Sequence, residues 1–112
     1  MALLFIILAA GLLAAFAVLA AWQARKAREA FIAAYAFPPG LLDRLAQKRP
    51  GLGPQDRLRV ENALRQYFLI YLKSGCRFVS MPSQLVDDLW HEFILYTRNY
   101  QQFCQKAFGR FF

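Results

Sequence analysis

The chain has one histidine, His91, two cysteines, Cys76 and Cys104, and no charged side chain between Met1 and Trp22. Each scarcity excludes something. Two cysteines outside any CxxC pair make neither a disulfide framework nor a redox pair, and in a reducing compartment both are expected to be thiols. With a single histidine, any metal site must draw its remaining ligands from acids and thiols. No glycine-rich elbow or oxyanion turn accompanies a nucleophile, so a Cys–His catalytic pair lacks its usual partners. No nucleic-acid-binding motif, internal repeat or second low-complexity tract is found, and 112 residues allow one small domain at most.

The missing charge is informative in its own right. Residues 1–22, "MALLFIILAAGLLAAFAVLAAW", form an unbroken apolar run. As a helix they reach roughly 33 Å, enough for the ~30 Å hydrocarbon core of a bilayer. A cleaved secretory signal competes with this reading, because Ala15-Phe16-Ala17 and Val18-Leu19-Ala20 offer small residues at cleavage spacing. The anchor is preferred on charge. No Lys or Arg precedes the run, whereas Arg25, Lys26 and Arg28 follow it directly, and flanking positive charge stays on the cytoplasmic side. The expectation is an uncleaved, single-pass anchor with its N-terminus outside and the rest inside.

Acids are scarce as well. Residues 23–77 carry eleven of the fourteen Lys and Arg but four of the seven acids, while residues 78–112 are balanced. The basic half therefore lies next to the membrane, and Arg25, Lys26 and Arg28 are expected to meet anionic headgroups of the lipid bilayer. Membrane proximity accounts for the charge, so no nucleic-acid partner is expected.

After Trp22 the helix signal continues through "QARKAREAFIAAYAF", where Phe31, Ala34 and Tyr35 form a narrow apolar stripe, and it stops at Pro38-Pro39-Gly40. Residues 41–48 make a short helix and 49–54 a Pro/Gly loop. A core helix follows between Pro54 and Gly75, with Val60, Leu64, Tyr67, Phe68, Tyr71 and Leu72 on one face. Residues 76–82 read as an extended connector with room for one short strand. Ser83 is a suitable N-cap for the next helix. Apolar residues from Val86 to Phe108 then keep a helical period, with a break expected near Thr97-Arg98-Asn99. The fold class is all-α: an N-terminal transmembrane helix followed by a small bundle of three to four helices. The expected division is an anchor at 1–22, a juxtamembrane helix extension at 23–37 and a small cytoplasmic helical domain at 38–112.

The chemistry concentrates in "LVDDLWHEFILYTRNYQQFC" at 85–104. Asp87 and Asp88 stand four and three residues before His91, so either can reach it on a helix. A carboxylate on one ring nitrogen would set the tautomer and leave the other nitrogen free. The leading reading is a structural tie, with Asp87 orienting His91 beside an inward Trp90. A metal site for a divalent ion such as zinc, built on His91 and Asp87, competes with it. Cys104 could join only if the helix breaks, since a straight helix separates residues 91 and 104 by roughly 20 Å. No cofactor is otherwise expected. Eleven Phe, five Tyr and two Trp fall mostly at core spacing, but Phe108, Phe111 and Phe112 crowd the end of the chain. They must bury against earlier helices, meet a partner or membrane, or belong to a longer domain.

Pro82-Ser83, Asp87, Trp90-His91, Leu95, Tyr100, Cys104 and Gly109, with weaker support from "RQYFLIYLK", resemble the core of the glycine-rich-domain-containing proteins. That is a family of unknown biochemical function, with plant members and short bacterial ones. The resemblance marks Trp90, Tyr100 and Cys104 as motif residues and implies a bacterial inner-membrane setting. It also implies a further histidine segment after the glycine, so truncation at the C-terminus is one expectation it raises. It names no reaction. The first functional expectation is a membrane-anchored helical domain for interaction or scaffolding with an unidentified protein partner, more an adaptor than an enzyme. The second is a metal-binding or hydrolytic domain centred on His91.

Overall fold

A computed structural model describes all 112 residues as five helices with no strand. They are α1 (Ala2–Ala33), α2 (Leu41–Lys48), α3 (Pro54–Lys73), α4 (Gln84–Leu95) and α5 (Thr97–Phe108). The molecule measures 74 × 25 × 22 Å, because the first two-thirds of α1 project beyond the other helices.

Helix α1 is long and apolar enough to cross a membrane, and none of its apolar window is buried within the protein. Its last turns behave differently. Ile32 is fully buried, and Phe31 and Tyr35 pack on the same core. The segment read as a juxtamembrane extension is thus part of the domain's own core, and its helix ends at Ala33. The chain then turns through Pro38 and the left-handed Gly40, which lets Leu41 and Leu45 of α2 drop into the interior.

Pro54 starts α3, the position where a missing N–H costs nothing, and the Asp56 carboxylate accepts the Gly53 N–H at 3.2 Å. All six apolar residues expected on the inner face of α3 are buried. The helix closes in a Schellman arrangement: the Gly75 N–H donates to Leu72 O and the Cys76 N–H to Tyr71 O, with both residues at positive φ. Residues 76–82 run on without pairing to any strand, so the short strand considered for them is not formed. The Tyr67 hydroxyl holds this connector by donating to Val79 O at 2.8 Å.

Ser83 caps α4 by accepting the Val86 N–H at 3.2 Å. The break between α4 and α5 falls at Tyr96, whose ψ of 66° leaves the helical region. That is one residue before the polar triplet expected to cause it. The Tyr96 carbonyl still accepts the Tyr100 N–H at 2.8 Å, so one residue ends α4 and starts α5. The fold-back brings Phe93 against Tyr100 and Phe103, with ring centroids 5.1 and 5.4 Å apart. At the end of the chain, Phe108 is buried and Phe112 stacks on Tyr71 at 3.7 Å, while Phe111 stays largely exposed. Two of the three terminal phenylalanines therefore bury against earlier helices.

Candidate functional site

Helix α4 carries three kinds of side chain on three faces. Asp87 and His91 lie on the outer face, where His91 Nε2–H donates to Asp87 Oδ2 at 3.1 Å. The His91 side chain is 65% exposed, so its other nitrogen faces solvent. Trp90, next to it, is half-buried, and its ring centroid lies 6.3 Å from the imidazole.

Trp90 opens a short polar chain into the core. Its Nε1–H donates to the Tyr100 hydroxyl at 3.1 Å, and that hydroxyl donates to the Phe112 carbonyl at 3.0 Å. Every member is satisfied, which a polar group this deep requires. Burial pushes the Tyr100 phenol well above its ordinary value. Burial likewise pushes the Cys104 thiol up, against weaker opposing contributions from the Phe112 backbone and Tyr100. A thiol held protonated in an aromatic interior is neither an activated nucleophile nor a ready ligand.

The break at Tyr96 removes the 20 Å objection but turns Cys104 inward while His91 points outward. The structure therefore brings Asp87 to His91 and does not bring Cys104 to them. No group of three His, Cys, Asp or Glu side chains is placed to share a metal ion. Asp87 and His91 together supply two donors where a metal needs three or four.

The third face is ionic and was missed in the sequence. Glu92 is buried, and its carboxylate is covered by Arg44, 3.3 Å away, and by Lys48, both from α2. Both contacts are ion pairs, one to each carboxylate oxygen. Asp88, one turn earlier, accepts from Gln84 at 3.0 Å and from the Arg49 guanidinium at 2.9 Å. Those hydrogen bonds hold its carboxyl below the ordinary range, Gln84 first and Arg49 next. The signal was present as an acid pair four apart on α4 and a basic pair four apart on α2. Only docking shows that the two stripes face each other.

All three cations assigned to headgroups have partners inside the protein. Arg25 Nη2 donates to Lys73 O at 2.8 Å and Arg28 Nη1 to Phe108 O at 3.0 Å, so each satisfies a terminal carbonyl of α3 or α5. Lys26 sits 3.4 Å from Glu29. A cleft of about 230 Å³ between α3 and the start of α4 is smaller than the roughly 300 Å³ at which ligand pockets begin.

A family model described as UCP032817-like matches residues 27–112. No curated protein and no solved structure matches the chain. The matched region begins inside α1, just ahead of Arg28 and the core residues Phe31 and Ile32, and leaves out the apolar run before them.

Proposed function

This chain belongs to the UCP032817-like family, and we propose that it holds a small helical bundle at a membrane on one spanning helix and presents it there to a protein partner. The observation that carries this reading is the double character of α1. Its apolar run finds no cover within the protein, while its last turns are built into the domain core. Exposed apolar surface on that scale suits a bilayer, and one continuous helix crossing it would fix the domain at its surface. The lack of charge before the run and the basic residues after it favour the domain lying inside, and the resemblance to short bacterial proteins is what points to a bacterial inner membrane. The likeness to glycine-rich-domain-containing proteins is part of this proposal and rests on residues 82–109, with weaker support from residues 65–73.

Fusing a reporter that is active only outside the cytoplasm to the C-terminus tests the placement. Little activity is expected; strong activity overturns the inside orientation. Extraction at alkaline pH tests the anchor itself, since a spanning chain stays with the membrane.

The metal or hydrolytic reading has the Asp87–His91 pair in its favour. Elemental analysis of the purified full chain beside His91→Ala decides it. Stoichiometric zinc in the parent that is lost in the variant would establish that reading over the interaction one.

A further inference from the structure

The domain's net positive charge is concentrated at one end. Of the seven acids, six lie away from the anchor, and Asp43, Glu61, Asp87, Asp88 and Glu92 each have a basic partner there. At the end nearest the apolar run the single acid is Glu29, already shared between Arg25 and Lys26. Lys73, Arg77, Lys106 and Arg110 at that end have no acidic partner, and all four are exposed.

Hydrogen bonds set the level of this end. Arg25 reaches Lys73 O and Arg28 reaches Phe108 O, which places the C-terminal ends of α3 and α5 three to six residues beyond Trp22. Along the helix axis that is roughly 5–9 Å, the depth of a headgroup layer beside a ~30 Å core. A groove lined by Ala21, Ala24, Arg25, Leu72, Gly75 and Cys76 confirms that the turn after α3 packs at the height of Ala21 to Arg25. The Ser74 hydroxyl accepts the Arg77 N–H at 3.2 Å and holds Arg77 at that level. The next residue, Phe78, is 90% exposed. In water such a ring has no partner, whereas a phenylalanine beside lysine and arginine suits the boundary between headgroups and acyl chains.

We infer that the 73–78 turn, with Arg110 at the same end of the domain, is a second membrane contact: Phe78 enters the headgroup layer while Lys73, Arg77 and Arg110 bind anionic lipid phosphates. This rests on α1 spanning the same bilayer. The domain would then be seated against the surface at two points, α1 and the turn.

The test uses the full chain in nanodiscs of phosphatidylcholine alone or mixed with phosphatidylglycerol. Phe78→Trp in a Trp22→Phe background introduces an indole whose quenching by lipid spin-labelled near the headgroup is compared with the same background lacking it. Quenching about twofold stronger in the anionic discs is expected. Lys73→Gln, Arg77→Gln and Arg110→Gln together should return it to the neutral-lipid level. An indole unquenched in both lipids, or quenched equally in both, overturns the inference. Native Trp22, followed in the parent chain, separates the two failures. If Trp22 is quenched while the position-78 indole is not, the anchor stands and the second contact falls. If Trp22 also escapes, the spanning reading falls with it.

Discussion

Tyr100 shows how one atom can tie separate parts of the chain. Its hydroxyl accepts from Trp90 on α4 and donates to the Phe112 carbonyl, so removing it strands a donor and an acceptor in an aromatic interior. Tyr100→Phe is expected to cost about 1–3 kcal/mol, measured by denaturant unfolding in detergent. His91→Ala should cost less than about 1 kcal/mol by the same measurement, because the Asp87–His91 pair is exposed and solvent screens it. A large loss there would mean the pair carries more than a surface tie. The Cys104 thiol and Tyr100 phenol both hold their protons more tightly in the folded state. Their contribution is therefore complete below the ordinary values, about 8.5 for a thiol and 10 for a phenol, and is lost as pH rises through the raised ones. The unfolding midpoint should stay level near neutrality and fall above about pH 9, and Cys104→Ala should remove the first part of that fall.

Among the elements, α2 depends most on its neighbours. At eight residues it is too short to hold itself, and it is fastened by Leu41 and Leu45 beneath and by Arg44, Lys48 and Arg49 on the acids of α4. Glu92 makes the ionic part asymmetric. Arg44→Met with Lys48→Met leaves a buried carboxylate without a counter-charge and should cost about 3 kcal/mol, the low end for such a loss because both cations are themselves half-exposed. Adding Glu92→Met should recover most of it, and thermal unfolding of the three variants reads the difference. If the triple variant is as unstable as the double one, the charge argument is wrong. The break at Tyr96 shows the limits of local pattern. Thr97, Arg98 and Asn99 marked the region, but packing Phe93 on Tyr100 and Phe103 decided the residue at which the helix turns.

Across the whole molecule, α1 determines how the domain is held. Arg25 and Arg28, just beyond the apolar run, satisfy the last carbonyls of α3 and α5, so the apolar helix and the domain are joined by more than a linker. Gly109 lies under this junction at a φ of 68°, and a Cβ there would sit 2.7 Å from Arg28 Nη2. Gly109→Ala should destabilise the fold by about 1–2 kcal/mol through the left-handed backbone alone. It should also speed amide exchange in the last turn of α5 relative to α3, as the displaced guanidinium gives up the Phe108 carbonyl.

Much of this was legible in one dimension. Lack of charge from Met1 to Trp22, heptad-like spacing in α3, Ser83 as a cap and Asp87 four before His91 are local properties, and local periodicity carries them into the structure. Three matters could be decided only by tertiary packing. Whether Cys104 shares a site with His91 depended on the direction in which α5 leaves Tyr96. Glu92 as a buried charge depended on α2 crossing α4. Arg25 and Arg28 as helix caps depended on where α3 and α5 end beside α1. Sequence spacing sets which side chains share a face of one helix, whereas the mutual burial of faces on different helices sets which charges and rings finally meet.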